Sequence, residues 1–301
     1  MTGRALLLVA GDLAAVFLPG QSMLGASLQH RGEEILRRVD DLERAAAKGS
    51  TAGIPLLHPW ANRLSGTRYE AAGRDVELDL RSPLLHLDAR GLPMHGVPWS
   101  RLAWEVTEAS AERITARLEW NRADLLAIFP YPHVLEMETE LRPGSLTIST
   151  TLEAGREGPV PVSFGFHPYV GLPGLPRAQW MLSLPAMRRL ELDACGIPNG
   201  DATAFEGFEG PLGDAVFDDG FELVGAAGTF TLSGGGRRVS VELVSGYRFA
   251  QVFAPAGQPL IALEPMTAQT NALTTGRSLP LAAPGERFSA VFKIRVEDAA
   301  F

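Results

Sequence analysis

Apolar residues recur along this chain in short runs, many alternating with polar ones, and glycine or proline separates most runs from the next. Alternation is plainest at Glu136-Met-Glu-Thr-Glu140. As an extended strand, this segment puts Glu136, Glu138 and Glu140 on one face and Leu135, Met137, Thr139 and Leu141 on the other. Arg238-Val-Ser-Val-Glu-Leu-Val244 alternates likewise after Gly234-Gly-Gly236, a loop that supplies positive φ for a hairpin. Similar runs predict strands over 5–10, 14–18, 24–28, 101–107, 114–120, 134–141, 145–152, 160–166, 230–232, 239–244, 249–253, 260–263 and 288–296. One patch has helical spacing, with Val39, Leu42 and Ala46 among charges, and predicts a helix over 40–48. Many short strands with turns between them predict an all-β sandwich or barrel. The 32 glycines and 22 prolines are spread along the chain and mark no linker, so 1–301 reads as a single domain.

Composition narrows the function. With 46% hydrophobic residues the chain has ample material for a core, and its formal net charge of −8 repels phosphate backbones, which disfavours nucleic acid as a partner. The lone Cys195 cannot form an internal disulfide or a cysteine-based zinc site, and no histidine stands beside it to activate a nucleophile. The apolar run after Arg4 stops at Gly11-Asp12, too short for a secretory h-region of roughly 7–15 residues, so a first strand is expected there. No run approaches the ~18 apolar residues of a membrane span, and a soluble cytoplasmic protein is expected.

Six histidines are present, but no HExxH or His-x-His pair, and GxSxG, P-loop and GxGxxG motifs are missing; this disfavours metal, serine-hydrolase and nucleotide chemistry. Four segments stand out. His58-Pro-Trp-Ala-Asn-Arg63 sets a tryptophan and a guanidinium in one loop, a combination suited to stacking on a sugar face and donating to its hydroxyls. Met94-His95-Gly96 puts a histidine at a turn. Ser163-Phe-Gly-Phe-His167-Pro-Tyr169 and Leu260-Ile-Ala-Leu-Glu264-Pro265 each run an apolar strand into a titratable group, with proline expected to end the ladder there. Burial at such a rim perturbs a pKa. Taken singly, each histidine is more often a hydrogen-bonded structural residue, and the glutamate face at 136–140 is most simply a solvated sheet face.

Taken together and in order, these segments resemble the aldose 1-epimerase family, of the galactose mutarotase-like fold. The matching stretches are Pro-Trp-Ala-Asn-Arg63-Leu, Met-His95-Gly96, Gly-Phe-His167-Pro-Tyr, Phe217-Asp218-Asp219-Gly-Phe221 and Leu-Glu264-Pro-Met-Thr267 leading to Asn271. The resemblance implies an antiparallel β-supersandwich with at most short helices. It also implies that His167 is a general acid and Glu264 a general base, and that Arg63, His95 and Asp218 bind the sugar. Asp218 is preferred to Asp219 because the family's aspartate lies three residues before the phenylalanine, here Phe221. Two departures are visible: Thr151-Leu-Glu-Ala-Gly155 lacks the family's asparagine, and Val97 stands where the galactose-specific branch has a second glycine.

The activity implied is anomer interconversion of a hexose by acid–base ring opening and reclosure. No electrons or groups move, so no cofactor and no metal are expected, and the partner is a small sugar; the chain is expected as a monomer or homodimer. A hexose-6-phosphate 1-epimerase would instead need arginines around a phosphate, with Arg63, Arg68, Arg74 and Arg90 available. A non-catalytic carbohydrate-binding or regulatory protein would need neither His167 nor Glu264. A β-sandwich glycosidase would need two opposed carboxylates, and side chains on one strand face point in parallel.

Overall fold

The computed structural model describes residues 4–37, 44 and 51–299. The helix expected over 40–48 lies, apart from Arg44, outside the described residues. Antiparallel β-structure dominates, and the helices among the described residues are single turns such as Ala123–Leu126 and Ala272–Thr275. The larger sheet has nine strands in the order Phe208–Pro211, Met181–Leu184, Gly228–Gly234, Arg237–Ser245, Arg287–Asp298, Ser145–Ala154, His133–Arg142, Arg113–Trp120 and Glu105–Ala109. A second path runs Pro198–Phe205, Met187–Leu192, Phe217–Leu223, Phe249–Ala254, Ile261–Met266, Gly165–Phe166 and Leu56–Leu57, and Tyr169–Val170 also pairs with Ile261–Met266. A smaller sheet of Leu6–Ala10, Leu13–Leu18, Leu24–His30 and Glu33–Glu34 lies beside the strand His133–Arg142.

The two large sheets meet face to face through their apolar sides. Phe166 of one lies 5.0 Å, centroid to centroid, from Phe292 of the other, and Phe217 meets Phe208 edge-on at 5.5 Å. Burying such a ring contributes about 1.5–3 kcal/mol. The alternation at His133–Arg142 follows from burial of one face: Leu135, Met137, Thr139 and Leu141 are buried, while Glu136, Glu138 and Glu140 pair with Arg287, Arg113 and Arg142 on the outer face. That face is solvated sheet surface. Gly235 and Gly236, at φ 57° and 80°, turn the hairpin between Gly228–Gly234 and Arg237–Ser245 as expected.

Three expected strands differ. Residues 101–107 begin in a 3₁₀ turn at Trp99–Arg101, and pairing starts only at Glu105. The run 160–166 splits into Val160–Pro161 and Gly165–Phe166, which join different sheets. The run 260–263 extends to Met266, so Glu264 lies within its strand and Pro265 does not end it.

Candidate active site

Ile261–Met266 is buried at every position, because it is flanked on both edges and covered on both faces. On one edge it pairs with Phe249–Ala254, Gln251 standing opposite Glu264. On the other edge the Leu263 N–H donates to the Pro168 carbonyl at 3.3 Å and the Thr267 N–H to the Phe164 carbonyl at 3.0 Å. Residue 265 faces this same neighbour by strand alternation, and as proline it has no N–H to give. The ladder to Ile261–Met266 therefore opens opposite Phe166, while on the other edge His167 continues past Leu56–Leu57, its N–H donating to the Pro55 carbonyl at 3.1 Å. Gly165 permits the close approach just before the gap, since a β-carbon there would lie 2.7 Å from the Pro265 carbonyl oxygen.

This gap brings His167 Nε2 to 3.1 Å from Glu264 Oε1, with both side chains almost wholly buried. Burial pushes the Glu264 carboxyl well above the usual carboxylate range; Asp218 adds to the shift and Arg63 opposes it. Burial also pulls the His167 imidazole down to about 3. Both shifts have the same cause, burial, and both disfavour charge at this contact. Glu264 Oε2 is buried without a hydrogen-bond partner among the described residues. Leaving a carboxyl oxygen so costs about 1–3 kcal/mol, a cost native proteins tend to carry where a ligand binds.

His95 and Arg63 arrive on neighbouring loops. His95 lies edge-on to His167 with 5.5 Å between ring centroids. Its Nδ1 accepts the Asn62 backbone N–H at 3.2 Å, which leaves the proton of the neutral ring on Nε2 as a donor. Burial first, and then His167, hold this imidazole well below its ordinary pKa. Arg63 Nε donates to Asp88 Oδ2 at 2.9 Å and Nη1 to Asn62 Oδ1 at 3.1 Å, so the guanidinium is fixed from behind. Asp88 is itself fixed by the N–H groups of Arg90 and Leu92. Asn62, His95 and Asn271 all have positive φ, at 56°, 62° and 67°. Such strain in non-glycine residues gathers at functional sites. Asn271 ties the Arg63 loop to the Glu264 strand: its Oδ1 accepts the Ser65 N–H at 2.9 Å and its N–H donates to the Arg63 carbonyl at 3.0 Å. Trp60, expected to stack on a sugar, is a core residue at 1% exposure. Its side chain fills the space beneath the loop.

Asp218 belongs to the next strand but one from Glu264. Register pairs Gly220 with Gln251 and Gln251 with Glu264, which puts Asp218, Gln251 and Glu264 on one face of the sheet. Asp218 Oδ1 accepts from Gln251 Nε2 at 2.9 Å. Asp219 points to the opposite face, 3.4 Å from Arg189. All five residues singled out in the sequence therefore act on one neighbourhood: His167 and Glu264 in contact, His95 against His167, and Arg63 and Asp218 each shifting the charge balance of Glu264. Gln251, Asn62, Asn271 and Asp88 were not foreseen as partners; Asn62 and Asn271 lie within the quoted motifs, whereas nothing in the sequence marks Gln251 or Asp88.

Comparison with known proteins bears on the whole chain. A family model described as aldose 1-epimerase matches residues 23–295. No curated protein matches the sequence. Among solved structures, a galactose mutarotase-like protein from Clostridium acetobutylicum superposes with a TM-score of 0.84 at 17% identity, covering 97% of this chain and 95% of its own. An aldose epimerase homologue from C. elegans gives 0.80 at 15% identity over 99% and 100% of the two chains. Galactose 1-epimerase from Lactobacillus acidophilus NCFM gives 0.74 at 16% identity over 96% and 92%. At these identities the structures establish the fold, which is galactose mutarotase-like, and no helix among the described residues is long and apolar enough to cross a membrane. By the family model, which spans most of its length, the chain belongs to the aldose 1-epimerase family.

Proposed function

We propose that the chain interconverts the α and β anomers of a hexose, with Glu264 and His167 as the acid–base pair. The observation that carries this reading is the buried 3.1 Å contact between Glu264 Oε1 and His167 Nε2. Mutarotation needs one proton taken from the anomeric hydroxyl and one given to the ring oxygen. Moving one proton from Glu264 to His167 across this contact yields a carboxylate base and an imidazolium acid without uptake from solvent. The carboxylate then takes the anomeric proton while the imidazolium protonates the ring oxygen. The bond between ring oxygen and anomeric carbon breaks, the open-chain aldehyde rotates about its C1–C2 bond, and reversed proton transfers close the other anomer. Positioned groups of this kind contribute about 10²–10⁴-fold.

The remaining residues have roles consistent with their geometry. His95, with its donor nitrogen at Nε2, and Arg63 steady the negative charge that develops on oxygen, and Asp218 accepts from a sugar hydroxyl. Glu264 Oε2 is a free buried acceptor for the anomeric hydroxyl. No step requires a metal or redox group.

The reading is tested by anomer exchange. A panel of free hexoses and their 6-phosphates is followed by two-dimensional NMR exchange at pH 7. Acceleration above the buffer rate for at least one sugar supports the proposal and names its preference; binding of a sugar with no acceleration would make the chain a carbohydrate-binding protein.

A further inference from the structure

Tyr169 follows His167 by two residues and is not needed to move either proton. Its own strand pairs with Ile261–Met266 at Ala262, two residues before Glu264 on the same face. Its backbone is fixed on both sides: the Tyr169 N–H donates to the Gly53 carbonyl and its carbonyl accepts the Arg37 N–H, both at 3.0 Å. The ring stacks on the His167 imidazole with 4.2 Å between centroids and 25° between planes. The hydroxyl lies 2.6 Å from Thr51 Oγ1 and 3.3 Å from His167 Nε2.

We propose that Tyr169 is a positioning residue for His167, its ring setting the imidazole plane and its hydroxyl, held by Thr51, accepting from Nε2 when the imidazole is protonated. The inference rests on the acid–base reading of His167 given above. A phenylalanine would supply the stack alone. A buried hydroxyl needs a partner, and both partners here can reverse polarity. When His167 is neutral, Glu264 donates to the single Nε2 lone pair and the Tyr169 hydroxyl donates to Thr51 Oγ1. When Nε2 carries a proton, Tyr169 accepts from it and donates to Thr51. The Tyr169 hydroxyl thus keeps a partner through both halves of ring opening, Thr51 throughout and Nε2 when the imidazole is protonated.

The surroundings agree with this role. His167 is faced by Glu264 from the neighbouring strand, by His95 from its turn, by Phe253 edge-on at 6.3 Å and by Tyr169 itself; Arg37 lies over the outer face of the Tyr169 ring at 5.9 Å. Burial raises the Tyr169 phenol to about 12, so it keeps its proton and acts only by hydrogen bonding.

The experiment compares Tyr169→Phe, Thr51→Val and Thr51→Ser with wild type, reading His167 ring nitrogens by ¹⁵N NMR and anomer exchange of D-glucose by kcat and KM. Tyr169→Phe is expected to shift the His167 Nε2 resonance and to lower kcat about tenfold with KM within about twofold. Thr51→Val is expected to act in the same direction more weakly, and Thr51→Ser to match wild type. A His167 Nε2 resonance unmoved in Tyr169→Phe overturns the positioning role. If wild type exchanges no anomers but the resonance still moves, the positioning role stands and the epimerase reading fails.

Discussion

Gly96 lies against His58 so closely that a β-carbon on the glycine would sit 2.3 Å from the His58 carbonyl oxygen and 2.6 Å from the Pro59 nitrogen. Gly96 also has φ +64°, in the left-handed region, directly after His95 at φ +62°. The turn that carries His95 is thus set by backbone contact with the loop that carries Arg63.

Gly96→Ala is therefore expected to cost at least about 2 kcal/mol of stability, from the positive φ and the backbone clash together. For a chain of this size that lowers the melting temperature by at least about 4 °C. Calorimetry checks it; a melting temperature within a degree of wild type would show that the two loops are not held as described.

Gln251 stands opposite Glu264 and donates to Asp218. Gln251→Leu removes the donor while keeping bulk, freeing Asp218 to rotate away from the sugar. The expected outcome is a rise in KM of about 5–20-fold with kcat changed less than about threefold, the pattern of lost uniform binding. A kcat loss with unchanged KM would assign Gln251 to the chemical step instead.

Much of this site is legible in the sequence alone. Short motifs single out five residues far apart in the chain, and the fold brings them together, Arg63 and His95 from loops, His167 from just past a strand end, and Asp218 and Glu264 from within strands. The strands with one buried face were legible too, since core packing writes a period of two into them, as at His133–Arg142. Strands without that contrast were not. Arg68–Ala71 and Arg74–Glu77 alternate over only four residues each, and Pro198–Phe205 is polar and mostly exposed, so no period survives. Pro265 misled for a physical reason. Proline ends a ladder only where its missing donor is needed, and here that donor would face the gap beside His167. Gln251 was invisible because its importance comes from cross-strand register, which no local pattern encodes.

Buried histidines make the fold acid-labile. His58 Nε2 and His133 Nε2 are 3.0 Å apart, and His133 Nδ1 lies 2.6 Å from the Tyr131 carbonyl, so the neutral pair holds its protons on His133 Nδ1 and His58 Nε2. Burial lowers His133 to about 4 and His58 well below its ordinary value. Below pH 6.5 the unfolded chain binds protons that the native state refuses, so stability falls by up to about 1.4 kcal/mol per pH unit per such group. His95 and His167 act in the same sense. Glu264, raised, acts in the opposite sense above the ordinary carboxyl range, where native stability declines as pH rises. Urea unfolding between pH 7.5 and 5 is expected to show several kcal/mol lost toward acid, and a steeper loss in Glu264→Gln. A flat profile would contradict the burial of these imidazoles.

The same shifts set the pH dependence of the reaction. Burial pulls His167 down to about 3 and pushes Glu264 up. No titration of His167 is therefore expected in kcat/KM between pH 5.5 and 7 in polarimetric assays. A tenfold fall centred near pH 6.5 would mean that His167 titrates as an exposed imidazole.

The central claim is that Glu264 and His167 exchange protons with one bound sugar. Its most direct test is relaxation of a pure anomer, followed by polarimetry, in Glu264→Gln and His167→Asn beside wild type. Each variant is expected to fold and to lose about 10²–10⁴-fold in kcat/KM, the range of one positioned acid or base. Either variant relaxing the anomer at the wild-type rate would contradict the account.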